Sequence, residues 1–164
     1  MLNLSGVKVV SRKLNRWLTA LRILQFRDFS GRHQGINRQK IGAVGEQIAR
    51  SYLKKLGWRI LDTNVRFGQD ELDILAMCPR EETISIVEVR TTARKGTRPE
   101  DTITQRKRKA MRRVARHVQT EAIKHRCSLR VDLIAVQLAD SHESPKIRHY
   151  KGVLPIRKKK KYKI

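Results

Sequence analysis

Two stretches constrain the fold of this chain more than anything else in it: ELDILAM at Glu71 to Met77 and TISIVEV at Thr83 to Val89. Both are short and apolar, the second is rich in β-branched residues, and a turn marked by Pro79 separates them, the pattern of strands covered by the rest of a domain. Each also carries an acid, Asp73 and Glu88, where a covered strand hides apolar side chains. If the two strands pair as a hairpin, Asp73 lies beside Glu88, and two carboxylates held together repel unless a proton or a metal ion sits between them. Arg90 follows Glu88 by two positions and so points to the same side of the sheet.

Around this hairpin the chain alternates in period. Gly42 to Leu56 predicts a helix with Val44, Ile48, Ser51, Tyr52 and Lys55 on one face, stopped by Gly57 and carrying Glu46 near its start. Trp58 to Asn64 predicts a strand, followed by the turn-forming FGQD of Phe67 to Asp70. A loop is expected from Thr91 to Asp101, then a long helix from Asp101 to His125 with Ile103, Lys107, Met111, Val114, Val118 and Ala122 on one stripe. Leu129 to Leu138 and Lys146 to Tyr150 complete the strands. The order helix, three strands, helix, two strands predicts an α/β fold with a mixed sheet flanked by helices.

Outside this unit, Val9 to Phe26 has the spacing of an amphipathic helix decorated by Arg12, Lys13, Arg16 and Arg22. Such a segment suits an organelle presequence, a membrane-surface helix, a basic extension on nucleic acid, or a helix docked on its own domain. The expected division is a basic helix and linker at 1–39, one domain at 40–152, and a disordered basic tail at 153–164.

Charge then narrows the partner. Lys and Arg number 38 against 15 Asp and Glu, a net charge of +23, which points to a polyanion: nucleic acid first, an anionic membrane surface second. Arg106, Lys107, Arg108, Lys109, Arg112 and Arg113 crowd the second helix and are the expected phosphate contacts, with Lys107 on or near the stripe that faces the sheet. No stretch approaches the roughly 20 consecutive apolar residues of a membrane span. Cys78 and Cys127 stand far apart, which argues against a paired zinc motif or a disulfide framework and suits a reduced, cytoplasmic chain. The five histidines, His33, His117, His125, His142 and His149, have no metal-ligand spacing, and Trp17 and Trp58 read as packing anchors.

Buried carboxylates beside fixed cations suggest a hard divalent metal, Mg2+ or Mn2+, and hydrolysis of a phosphodiester. Glu46 would hold a second metal or orient the water, and Arg90, always protonated, would bind phosphate without acting as a base. Each acid also has a structural reading: Glu46 as a first-turn acid, Asp73 as a strand-edge residue, Glu88 as the ion-pair partner of an arginine.

The ordered series GAVGEQIARSYLKKLGW (42–58), Asn64, Arg66, ELDILA (71–76), VEVRT (87–91), Lys107, Ala115 and RVDLIAV (130–136) resembles the bacterial YraN-like proteins of unassigned function. These are similar to archaeal Holliday-junction resolvases and to restriction-endonuclease-like PD-(D/E)xK nucleases. The resemblance covers roughly residues 40–150. It implies a restriction-endonuclease-like core, an endonuclease acting on DNA in preference to RNA, branched DNA included, and a homodimer. It makes Glu46, Asp73 and Glu88 the catalytic and metal-binding acids and puts Arg90 in the place of the motif lysine. The chain departs from that pattern at Arg90 and at Asp70, where relatives place glycine; aspartate tolerates the left-handed turn expected there and adds a carboxylate near the site. The alternative is a nucleic-acid binder that keeps the fold without catalysis.

Overall fold

The structure, a computed structural model, describes residues 36–94, 96–139 and 144–156. The amphipathic helix expected at Val9 to Phe26 and the basic tail from Arg157 lie outside the described residues. In chain order the elements are α1 (Ile36–Lys55), β1 (Arg59–Phe67), β2 (Asp70–Cys78), β3 (Thr83–Thr92), α2 (Gln105–Lys124), β4 (Ser128–Gln137) and β5 (Lys146–Tyr150). This is the order expected from the sequence, in one five-stranded mixed sheet.

The strands lie side by side as β1-β2-β3-β4-β5, antiparallel throughout except for β3 and β4, which run parallel. A parallel pair needs a crossover, and α2 supplies it. Crossing back over the sheet, α2 buries Met111, Val114, Ala115, Val118 and Ala122 against Leu75, Ile84, Ile86 and Val131. On the opposite face α1 packs Ala49 and Leu53 against Ile74, Val87, Val89 and Ile134. Covered on both sides, β3 is buried from Thr83 to Val89, so its apolar run shows no polar alternation.

Three local expectations are corrected. The linker expected as far as Gln39 gives way to helix from Ile36. The buried face of α1 is not the Val44 face: Gly45, Ala49 and Leu53 are buried, Ile48 and Tyr52 flank them, and Val44 is 45% exposed. Small residues at 45 and 49 bring the helix axis close to β3, and that approach outweighs the burial a larger face would offer. The second helix begins at Gln105 rather than Asp101: Pro99–Thr102 forms a separate 3-10 turn, Ile103 is extended, and the Thr104 hydroxyl caps the new helix by accepting from Lys107 N–H at 3.2 Å.

Both helices end with a left-handed residue and a backbone bond that closes the last turn. Gly57 (φ 79°) precedes Trp58, whose N–H reaches Leu53 O at 2.9 Å; Arg126 (φ 56°) precedes Cys127, whose N–H reaches Ala122 O at 2.9 Å. Cys78 and Cys127 are free thiols. No helix among the described residues is long and apolar enough to cross a membrane.

The edge strand β5 is held by buried charge. Asp132, 0% exposed, accepts from Arg130 Nε at 2.8 Å and Gly152 N–H at 2.9 Å, and its other oxygen lies 3.1 Å from His149 Nε2. Burial pushes this carboxyl upward, but the bonds from His149, Arg130 and the Gly152 amide outweigh it and leave it below its ordinary value. Trp58, 6% exposed, packs edge-on to the His149 ring, so the sequence reading of Trp58 as an anchor holds, while His149 has a structural role its spacing did not reveal.

Candidate active site

The approach of α1 to β3 places the first acid. A Cβ at Gly45 would lie 1.7 Å from Thr91 Oγ1 and 2.7 Å from Thr91 Cβ, so only glycine permits this contact. Glu46, the next residue, is thereby brought to a cleft at the C-terminal end of β3. Its carboxyl is held above the usual range by burial and by the Asp73 carboxylate, opposed by a hydrogen bond from the Asn64 side chain and by Arg50. Asn64 has a left-handed backbone (φ 52°) within β1. The sequence reading noted Asn64 only as part of a pattern and ended the strand there; the strand runs on to Phe67, which makes Asn64 a mid-strand residue in a conformation asparagine tolerates.

β2 and β3 deliver the other two acids. Their ladder pairs Ile74 with Val87, and one step beyond it Asp73 and Glu88 come together across the hairpin. Asp73 Oδ2 accepts the Val89 backbone N–H at 2.7 Å. Glu88 is 2% exposed. Burial above all, then repulsion from Asp73, lifts the Glu88 carboxyl to about 7, while Lys107 and Arg90 oppose the rise. Asp73 is raised by burial in the same way, against Lys107 and the Val89 amide.

Two cations close over this pair. Arg90 Nη2 lies 3.4 Å from Glu88 Oε1, and Lys107 Nζ lies 2.8 Å from Glu88 Oε2. Lys107 also donates to the backbone carbonyl of Glu71 at 3.4 Å. Glu46, Asp73, Glu88, Arg90 and Lys107 all line one cleft of about 910 Å³, whose far wall is Arg94 and Arg98 with the Pro99–Thr102 turn. That turn is anchored by Glu100, which accepts from Arg148 at 2.8 and 2.9 Å and from the Tyr150 hydroxyl at 2.8 Å.

The remaining basic residues of α2 separate. Arg106 lines a smaller neighbouring cleft, Arg108 lines a groove beside Glu100 and Tyr150, and Lys109 and Arg112 are exposed and border neither. Arg113 is committed to Asp70 through bonds of 2.7 and 2.6 Å. The expectation at Asp70 is corrected accordingly. Gly68 (φ 62°) takes the left-handed position of the turn, Asp70 starts β2 opposite Phe67, and its carboxylate faces Arg113 instead of joining the acids. Arg113, first in effect, holds the Asp70 carboxyl below its usual value.

Among the described residues no three His, Cys, Asp or Glu side chains are gathered closely enough to chelate an ion. Both Glu88 oxygens face cations, Asp73 accepts the Val89 N–H, and Asn64 engages Glu46.

A family model described as "Uncharacterised protein family UPF0102" matches residues 45–136, a span that takes in Glu46, Asp73, Glu88, Arg90 and Lys107. The UPF0102 protein of Trichlorobacter lovleyi is 39% identical over 116 residues, covering 70% of this chain and 90% of the relative. That of Alkaliphilus oremlandii is 39% identical over 115 residues, covering 68% and 94%. That of Mycolicibacterium vanbaalenii is 35% identical over 117 residues, covering 71% and 95%.

Proposed function

Because the chain belongs to the protein family UPF0102, whose description carries no activity, we propose a function from the chemistry of the cleft: metal-dependent endonucleolytic hydrolysis of DNA phosphodiesters, branched DNA included. The observation that carries this reading is the pair of strand acids, Glu88 buried and Asp73 half-buried, held side by side under Arg90 and Lys107. Titratable groups displaced by burial and by one another, in a cleft, are the mark of a reactive site more often than of a structural one.

The donor set suits a hard cation. Mg2+ is bound by one or two carboxylates, with water and substrate phosphate oxygens filling the rest of the shell, so Asp73 and Glu88 suffice and a three-acid cage is unnecessary. Burial raises both carboxyls, and Asp73 adds repulsion at Glu88, so a bound cation would stabilise the charged forms that burial disfavours. When bound, Mg2+ or Mn2+ lowers the pKa of water and offsets charge on the phosphate.

The protein's own groups do the rest. Lys107 and Arg90 hold non-bridging phosphate oxygens and the charge that grows on them in the transition state. Glu46, at the margin of the acid pair, orients the attacking water. The net charge of +23 supplies sequence-independent attraction to the backbone. A homodimer with two such clefts would address two strands of a branched substrate, and free Cys78 and Cys127 suit the cytoplasm.

A second reading has its own observation. Arg90 and Lys107 already neutralise Glu88 from within, so the cleft is charge-balanced without an ion, as a non-catalytic DNA binder requires. Titrating Mg2+ and Mn2+ into the protein while scoring cleavage of linear and four-way DNA separates the two. The nuclease takes up metal, cleaves, and loses both with Asp73→Ala or Glu88→Ala while still binding DNA. Tight DNA binding without metal uptake or cleavage establishes the binder.

A further inference from the structure

The cleft at Glu88 does not end at Lys107. Beyond that lysine lies a second cleft of about 340 Å³, walled by Gln69 of the β1–β2 turn, by Glu71 near the start of β2, and by Arg106 and Arg113 on α2. Arg90 and Lys107 line both clefts, so the two meet at this pair of cations. The volume is near the lower end of the roughly 300–1,000 Å³ of small-ligand sites, which suits part of a single strand better than a duplex.

Its charges are unequally occupied. The lining has four cations against two carboxylates, and one of those carboxylates, Asp70, is already held in two bonds by Arg113. Lys107 spends its ammonium on Glu88 and on the Glu71 carbonyl. Arg106 is exposed and has no ion pair or hydrogen bond among the described residues. Arg90 turns Nη2 toward Glu88, but its Nε is sealed from solvent and finds no acceptor among the described residues. That donor is unsatisfied within the described residues, while the Arg90 side chain as a whole is 30% exposed and borders the smaller cleft. An oxyanion with several oxygens suits a guanidinium better than any other partner, since it accepts two parallel bonds.

We propose that this smaller cleft is a second phosphate subsite, in which Arg106 and Arg90 hold the phosphate adjacent, on the same strand, to the one at Glu88. The inference rests on the reading of the larger cleft as a phosphodiester site. It adds that the substrate strand passes across Arg90 and Lys107 from one cleft to the other, so that recognition requires two consecutive phosphates.

Competition against a labelled oligodeoxynucleotide tests this, with dTdT (one phosphate), dTdTdT (two), and dTdTdT carrying one uncharged methylphosphonate as competitors. The wild-type protein should bind dTdTdT about tenfold more tightly than dTdT, the effect of one added charge-assisted contact. A methylphosphonate should abolish that gain. Arg106→Ala should bring dTdTdT to within about twofold of dTdT, the statistical limit of two registers. Arg112→Ala removes the same charge from an exposed position that borders neither cleft, and it should keep the preference. Retention of the preference in Arg106→Ala, or its equal loss in Arg112→Ala, overturns the subsite. Binding of dTdT with no gain for dTdTdT in the wild type does so too, and leaves the larger cleft's reading standing. Failure of the wild type to bind the labelled strand at all overturns both.

Discussion

Lys107 Nζ sits 2.8 Å from Glu88 Oε2, so the second helix returns a cation to a strand whose own motif position carries Arg90. On the proposed nuclease reading, the ammonium that a PD-(D/E)xK pattern places two residues after the strand acid would come from α2 instead, on a first turn capped by Thr104. Replacing Lys107 by Met should reduce cleavage by about 10²–10³-fold, the usual effect of removing one donor aimed at a developing charge. DNA binding should weaken far less, and Lys107→Arg should recover part of the rate. Equal losses in rate and binding would make Lys107 a backbone contact only.

Glu88 titrates near 7 because burial and Asp73 disfavour its charge, so the folded chain holds that proton more tightly than the unfolded chain does. The contribution of this group is therefore complete below its ordinary value of 4.5 and is lost as pH rises to about 7. Glu88→Gln should match the wild type in melting temperature near pH 4.5 and exceed it near pH 8 by several degrees, at about 2–4 °C per kcal/mol for a chain of this size. Mg2+ should raise the wild-type melting temperature at pH 8 and leave that of Glu88→Gln unmoved, and chelation should reverse the rise. A variant less stable than the wild type at pH 8 would refute the burial argument.

Two glycines of α1 should respond oppositely to alanine. At Gly42 an added Cβ meets nothing within 4 Å, so Gly42→Ala should stabilise by up to about 1 kcal/mol through helix propensity. At Gly45 the same atom runs into Thr91, and Gly45→Ala should cost about 1–3 kcal/mol. Urea unfolding measures both. Thr91→Ala in the Gly45→Ala background should recover part of the loss by removing the Oγ1 contact, and Gly45→Ala should also lower activity by shifting Glu46.

Arg113→Ala strips a buried carboxylate of its bidentate partner. Since Arg113 is 40% exposed, solvent screening keeps the loss below that of a fully buried pair, and a lowered urea midpoint should report it. Arg113 holds Asp70 below 3.8, so this pair stabilises above that pH and is lost as pH falls below it. Asp70→Asn should accordingly flatten the acid limb of the stability curve, and Asp70→Asn with Arg113→Ala should be closer to the wild type than Arg113→Ala alone.

Much of the fold was legible because its central strands are covered: β3 was read from Thr83 to Val89 as a β-branched run, and it is buried over that span. The helix face of α1 was misread for a physical reason. Pattern reading follows large apolar side chains, and here Gly45 and Ala49, which carry almost none, make the closest approach to the sheet. Asp73 and Glu88 were found because charge inside an apolar run is conspicuous, and Glu46 from its place near the start of the first helix. Asn64 and Arg113 were not given their roles because each acts through a partner far along the chain, 43 residues away for Arg113 and Asp70.

What the sequence alone determined are properties carried by neighbours in the chain: the period of each element, their order, the cationic excess, and the acids that interrupt β2 and β3. What only the tertiary structure decided is which of the many cations meet those acids. Parallel pairing of β3 with β4 forces α2 to run back across the sheet, so its first turn overlies the C-terminal end of β3. Lys107 falls there, on Glu88, while Arg112 and Lys109 of the same helix face solvent. Composition counts all these charges alike; the crossover distinguishes them, because side-chain reach is only a few ångströms and the helix register fixes which residue lies within it.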